Sequence, residues 1–533
     1  MCPQNGYLCS KIPRHMSALR YPIGMQSFGK IRQGGFVYVD KTRHVYELAH
    51  GGSCYFFLNR PRRFGKSLLL STLKAYFLGQ RELFEGLAIA DMEEEWERHP
   101  VFHLDLANHN FKQAGELGLA IEAFLAKAEV AYGKDEHEAT FGDRFRGVLQ
   151  RANARSGGKG CVVLVDEYDK PILDLLGHPL EEVHRDILKG LYSTFKSADD
   201  SLRFVMLAGV SRFGKLSVFS GLNNLKDISL LPQYADICGI SEQELQTVFA
   251  PSIRELAAAN AITYEQACAQ LRGKYDGYHF AVGSVGVYNP FSLLNAFCDH
   301  VLGDYWFETA TPSSLIQLLK RTHCDLGRLA HEEQQAGTLS SMDLYEENPV
   351  PMLYQSGYLT IKGYDSRFGR YRLGFPNEEV EHGFIRQLLP AFLPQRRNAP
   401  FDLPQFVHDV ETGNPEQFMQ RLQAFFANVD HKVVGDMELY FQNALFLVFT
   451  LLGFYTQVER HTSHGSIDIL LLTPGHIYII ECKLDKTAEV ALRQINERGY
   501  AAPFAADPRP LHKIGVNFSS QTRGIDDYII EDN

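Results

Sequence analysis

Four short runs of apolar residues, at 55–58, 101–106, 161–165 and 204–210, stand out in the first half of the chain. Each is nearly continuous rather than alternating, the pattern of strands buried on both faces of a parallel sheet. Helical stretches separate them, and strands that alternate with helices predict a layered α/β domain over residues 21–241. Residues 1–20 mix Pro, Cys and basic side chains without periodicity and read as a flexible tail. The stretch 242–345 reads as mostly helical, and 352–380 carries two strand-like runs around a Gly-containing turn. Region 242–390 is therefore expected to be helical and winged-helix-like. Pro390, Pro394, Pro400 and Pro404 punctuate the best linker candidate. A further domain is expected over 404–533, with a helical segment, a buried helix at 438–452, and strands at 465–472 and 476–483.

Composition narrows the function. The 533 residues include 53 basic and 64 acidic side chains, a net charge of −11. That excludes a global basic coat, so any nucleic-acid contact must come from a local site. The nine cysteines are odd in number and form no C-x-x-C pair, which argues against a structural zinc site and a secreted disulfide framework. Cys54, Cys161 and Cys482 lie in apolar runs and read as small buried hydrophobes. No secretory h-region is visible, and the densest apolar run, 444–455, falls short of the ~20 residues a spanning helix needs. A soluble cytoplasmic protein without membrane contact is expected. The twenty histidines are scattered and show no H-E-x-x-H spacing, so none is assigned to metal.

The first candidate chemistry is a phosphate site. The run 55–58 leads into Asn59-Arg60-Pro61-Arg62-Arg63-Phe64-Gly65-Lys66-Ser67 and then a helix expected from residue 68 to 78. Strand, loop ending in Gly-Lys-Ser, and helix form the context of a P-loop. Backbone N–H groups at a helix N-terminus stabilise phosphate. Lys66 would reach the β/γ-phosphates, and the Ser67 hydroxyl would ligate Mg²⁺. The first Gly of the usual loop is Arg60 here. Arg60, Arg62, Arg63 and Lys66 form a local basic cluster suited to ATP. The run 161–165 ends in Asp166 and Glu167, a Walker B pattern in which Asp166 would hold Mg²⁺ and Glu167 would polarise the attacking water. The run 204–210 ends in Ser211-Arg212, where Arg212 could sense the γ-phosphate.

The second is a carboxylate–lysine cluster. Asp468 opens one strand-like run and Glu481-Cys482-Lys483 closes the next, across Thr473-Pro474-Gly475. A two-residue hairpin would make Asp468 and Glu481 neighbours. Glu481 and Lys483 are two apart and share a strand face. Carboxylates suit a hard cation such as Mg²⁺, and the lysine could orient water, a plausible arrangement for metal-assisted phosphodiester hydrolysis.

Asp40-Lys41-Thr42, Arg60 to Ser67, Asp166-Glu167-Tyr168-Asp169-Lys170-Pro171, Gly209-Val210-Ser211-Arg212-Phe213 and Tyr275-Asp276-Gly277-Tyr278-His279-Phe280 together resemble the bacterial AAA-ATPase-like family, whose members often carry a C-terminal PD-(D/E)XK nuclease domain. The resemblance covers nearly the whole chain. It implies a P-loop NTPase fold, a parallel sheet with helices on both faces, and a C-terminal α/β restriction-endonuclease-like domain. Within that family the Arg-Pro-Arg-Arg-Phe loop is usual. The resemblance also implies roles for Glu438, as a further acid on the buried helix, and for Gln494, on the helix after the E-x-K strand. The function it points to is an ATP-binding, ATP-hydrolysing protein that controls a Mg²⁺-dependent nuclease acting on nucleic acid, DNA first. The alternatives are a nucleotide-dependent switch whose nuclease fold only binds nucleic acid, and a mobile-element or phage-defence effector that forms a homo-oligomer on nucleotide.

Overall fold

The computed structural model describes residues 19–212, 224–307, 313–322, 348–392, 402–427, 437–453, 457–463 and 466–532, with a few positions between 324 and 339. The N-terminal tail expected before residue 19 lies outside them, as do Phe213 and most of the linker candidate.

The four apolar runs form β1 (Tyr55–Asn59), β2 (Val101–Asp105), β3 (Cys161–Asp166) and β4 (Leu202–Gly209). A two-residue strand, β5 (Lys226–Asp227), completes an all-parallel sheet of order β2-β3-β4-β1-β5, flanked by helices. Burial is complete along β3, whose apolar residues pack on both faces, so the run is continuous rather than alternating. The helix Lys66–Phe77 packs across β2, β3 and β4. In this order β4 separates the loop strand β1 from β3, with Asn59 beside Gly209 and Asp105 beside Asp166. The carboxyl ends of β1, β3 and β4 thus share one edge, where open α/β sheets bind ligands. Cys54 precedes β1 and is exposed, contrary to the expectation of burial; Cys161 and Cys482 are buried as expected.

The middle region is helical, opening with capping boxes at Ser241 and Thr263. It includes the ribbon β6 (Ile240–Ser241) with β7 (Val287–Tyr288), and a three-stranded antiparallel sheet of β8 (Glu333–Gln335), β10 (Arg370–Gly374) and β9 (Thr360–Asp365), in that order. Pro390 lies inside the helix Glu378–Phe392 rather than in a linker. It stands in that helix's final turn, close to where the element stops.

The C-terminal sheet is mixed: β11 (Gln457–Ser463), β12 (Ser466–Leu472), β13 (Ile477–Leu484), β14 (Leu511–Ser519) and β15 (Gly524–Asp532), in sequence order. Only β13 and β14 are parallel, joined by the helix Ala488–Glu497, which packs on both. The β12–β13 loop contains four residues, Thr473 to His476, not two, with Thr473 N donating to His476 O at 3.0 Å. The longer loop preserves the register that matters, Asp468 opposite Glu481.

Candidate nucleotide and nuclease sites

Gly65 caps the helix Lys66–Phe77 with a left-handed φ of 98°, and Arg63 is also left-handed at 67°. This backbone wraps the loop around the helix N-terminus and brings Lys66 back on itself. The Lys66 ammonium is buried and donates to the carbonyls of Arg60 at 3.1 Å and Pro61 at 3.2 Å. It lies 3.6 Å from a carboxylate oxygen of Glu167. Glu167, at the end of β3, holds a left-handed φ of 51° and donates its N–H to Asp166 Oδ1 at 3.0 Å. A non-glycine residue pays strain in that conformation, which at a strand end beside a ligand cleft marks a positioned side chain. Asp166 is buried, and desolvation raises its carboxyl to about 6, with the Ser67 hydroxyl acting in the opposite direction as a hydrogen-bond partner. Hydroxyl and carboxylate oxygens side by side are a donor set that fits a hard cation such as Mg²⁺.

Lys66, Ser67 and Glu167 open on a cleft of about 560 Å³, within the range of small-molecule sites, with Asp166 buried behind them. Arg62, Arg63, Gly65, Lys66, Ser67 and Glu167 line it. Two predicted residues stand elsewhere. Arg60 is 1% exposed, and its guanidinium donates to the carbonyls of Asn59, Ser229 and Tyr234, each at 2.9 Å. It also lies 4.1 Å over the Phe280 ring. Its side chain is a structural tie rather than a lining of the phosphate cleft, because the position of the missing glycine turns it inward. Arg212 pairs with Asp227 and stacks 5.6 Å over Phe57, away from the cleft lining.

Sequence reasoning did not assign Asp169. Its Oδ2 accepts from the N–H groups of Val210 (3.0 Å) and Ser211 (2.6 Å) and from the Ser211 hydroxyl (2.8 Å). Tyr168 donates its hydroxyl to Ser211 O at 2.6 Å. The Asp-Glu-Tyr-Asp string therefore clamps the end of β3 to the end of β4. The signal was the second aspartate of that string, three residues beyond Asp166.

At the C-terminal sheet Glu481 is fully buried and accepts from Lys483 Nζ at 2.6 Å. Among the described residues its other oxygen, Oε2, has no hydrogen-bond partner. A buried carboxylate oxygen left open in this way fits a cation site. Asp468 occupies the register position directly opposite on β12, where cross-strand partners share one face of the sheet. Its side chain, and that of Glu438 on the helix Met437–Gly453, lie outside the described residues. Gln494 is half-buried on the helix packed against β13 and β14. Among the described residues no three His, Cys, Asp or Glu side chains converge as a metal site, and no helix is long and apolar enough to cross a membrane.

A parallel sheet with a Gly-Lys-Ser loop and paired acids at its carboxyl edge, followed by a mixed sheet with a buried E-x-K strand, defines an ATPase-like domain joined to a nuclease-like one. Comparison with known proteins agrees. Residues 22–219 match the family described as predicted AAA-ATPase, and residues 436–528 match the PD-(D/E)XK nuclease superfamily. A protein of Azotobacter chroococcum mcd 1, named "Uncharacterized protein in vnfD 5'region", is 38% identical over 97% of this chain and 99% of its own length. The chain belongs to the family of predicted AAA-ATPases with a C-terminal PD-(D/E)XK nuclease superfamily domain.

Proposed function

We propose that the chain binds ATP with Mg²⁺ in the loop cleft and uses occupancy of that cleft to control a Mg²⁺-dependent nuclease at the C-terminal sheet, acting on DNA. The working division is a tail at 1–20, the ATPase at 21–241, the connecting region at 242–390 and the nuclease at 404–533. Lys66 would leave the Arg60 and Pro61 carbonyls for the β/γ-phosphates, with Arg62 and Arg63 beside them. Ser67 and Asp166 would hold the cation, and Glu167 would take a proton from the attacking water. In the nuclease half Asp468 and Glu481 would hold a cation, Lys483 would orient water, and Gln494 and Glu438 would support the site. Bound Mg²⁺ supplies Lewis-acid charge to phosphoryl oxygens in both places.

One observation carries the idea of control: the connecting region holds the phosphate loop along its length. Trp306 Nε1 donates to Arg62 O at 3.1 Å. Gly357 abuts Pro61, Arg63 stacks 4.8 Å over Phe291, and Phe64 meets the rings of Tyr278 and Phe280 edge-on at 4.7 and 5.5 Å. The Trp306 N–H in turn donates to buried Glu379 at 2.7 Å. Glu379 belongs to the helix Glu378–Phe392, which packs on the helix Met437–Gly453 that enters the nuclease-like region. A loop that rearranges around nucleotide therefore pulls on a continuous chain of contacts. The test separates the two sites. Lys66→Ala should lose ATP binding, while Lys483→Ala should keep ATP binding and lose Mg²⁺-dependent cleavage. Unchanged ATP affinity in the first or unchanged cleavage in the second overturns the assignment.

A further inference from the structure

The β9–β10 hairpin concentrates exposed cations in a chain of net charge −11. Its tip, Asp365-Ser366-Arg367-Phe368-Gly369-Arg370, is closed by Asp365, whose Oδ1 accepts from the N–H groups of Arg367 at 2.9 Å and Phe368 at 3.3 Å. That carboxylate is turned into its own loop. From the tip onward, Arg370 and Arg372, two apart, share one face of β10. Arg370 has an ion pair with Glu333 of β8 at 3.6 Å, with both side chains about half exposed, a contact worth little in water. Arg372 lies opposite Gly363, and a Cβ at that glycine would stand 2.5 Å from the guanidinium. The glycine thus leaves room for the arginine to lie flat across the strand. At the tip the Arg367 guanidinium stacks 4.4 Å over Phe368, a ring that is 59% exposed, and Tyr364 nearby is 40% exposed. Lys362 is not part of this group; its ammonium is committed to Pro376 O at 3.0 Å.

Planar guanidiniums grip phosphate in pairs of hydrogen bonds, and a two-stranded β-ribbon is narrow enough to enter a DNA major groove. We propose that the β9–β10 hairpin is a docking surface for duplex DNA, with Arg367, Arg370 and Arg372 on the phosphate backbone and Phe368 against sugar or base at the tip. The proposal rests on the reading of the chain as a nuclease acting on DNA. It adds a second point of contact, remote in sequence from the E-x-K strand. The hairpin leads through Asn377 into the helix Glu378–Phe392, which packs on the helix Met437–Gly453, so duplex held at the hairpin is joined in chain to the nuclease-like region by that helix.

The test uses the full chain in EDTA, a fluorescein-labelled DNA duplex of about twenty base pairs, and anisotropy over a salt series. Each phosphate contact contributes about 0.9 to the slope of log affinity against log salt. The triple variant Arg367→Ala, Arg370→Ala, Arg372→Ala should bind about tenfold or more weakly at low salt, with the slope shallower by about 2–3. The corresponding triple Arg→Lys variant should retain most of the slope. Both should cleave a small chromogenic phosphodiester with Mg²⁺ at the wild-type rate, because that substrate is too short to reach the hairpin. Unchanged duplex affinity and slope in the triple Ala variant overturn the proposal, as does a wild-type chain that binds an RNA duplex or a protein but not DNA. A hairpin effect on DNA binding together with no diester cleavage by the wild type supports the hairpin while sinking the nuclease reading, so the two failures are distinguishable.

Discussion

At the scale of single residues, Lys66 and Glu379 make opposite demands. Lys66 holds its loop through two backbone carbonyls and faces Glu167, so the charge is partly satisfied before any ligand arrives. Lys66→Ala is expected to weaken ATP binding by tenfold or more, about 1.4 kcal/mol or above, with far-UV circular dichroism unchanged. Isothermal titration checks it, and wild-type affinity would contradict it. Glu379 is fully buried, and desolvation holds its carboxyl at about 7 against the hydrogen bonds from Trp306 N and the Ser292 hydroxyl. Between its ordinary value of 4.5 and about 7 the folded chain keeps a proton that the unfolded chain has released. Its contribution to stability is therefore full below 4.5 and is lost as pH rises through about 7. Glu379→Gln keeps an acceptor for Trp306 N and should raise the free energy of unfolding at pH 8 by on the order of 1–3 kcal/mol, read as a higher melting temperature, with little effect at pH 5. Equal effects at both pH values would contradict this. Lys66, Ser67, Asp166 and Glu167 were legible in the sequence because strand–loop–helix grammar fixes where they fall. Arg60 and Arg212 were not, because a residue type and its place in a motif do not say which way a long side chain turns.

At the scale of elements, the proposed coupling runs through contacts on the phosphate loop. Gly357 has a left-handed φ of 91°, and a Cβ there would stand 2.6 Å from the ring of Pro61. Gly357→Ala combines backbone strain with a collision against the phosphate loop. A loss of about 1 kcal/mol or more in stability and weaker ATP binding are expected. A variant as stable as wild type, binding ATP normally, would show that the contact is slack. Trp306 is one of only two tryptophans, the other being Trp96. In a Trp96→Phe background the emission of Trp306 should change when ATP binds, since its N–H is bonded to the loop. Emission indifferent to saturating ATP would contradict the linkage. Long, continuous apolar runs made β1 to β4 readable. The two-residue β5 has too little sequence to show a period, and Pro390 misleads because it stands inside the last turn of a helix, where it deletes a backbone hydrogen bond, and not in a linker. The four-residue β12–β13 loop escaped because Thr-Pro-Gly reads as a tighter turn, yet the Asp468–Glu481 register survives since both strands are pinned by their buried faces.

For the whole molecule, one of the family strings proves to be about contact between regions. Tyr278 and Phe280 of the Tyr-Asp-Gly-Tyr-His-Phe string pack on Phe64, and Gly277, left-handed at 93°, passes within 2.2 Å of Pro376 O at its would-be Cβ. Asp40 accepts from Thr42 N, the Thr42 hydroxyl and Ala88 N at 2.7–2.9 Å, which makes the Asp-Lys-Thr string a structural brace. Sequence alone exposed the strings but not their mutual contact, since residues 64 and 278 meet only through the fold. The central claim is that nucleotide in the loop cleft governs cleavage at the C-terminal sheet. Its most direct test is the rate of Mg²⁺-dependent cleavage of a DNA duplex, measured with and without saturating ATP, in the wild type and in Trp306→Phe. The account predicts a rate that changes severalfold with ATP in the wild type and a much smaller change in Trp306→Phe, which keeps an aromatic ring, smaller than indole, but loses the hydrogen bond to Arg62. A wild-type rate indifferent to ATP, or an ATP effect of the same size in Trp306→Phe, would contradict it.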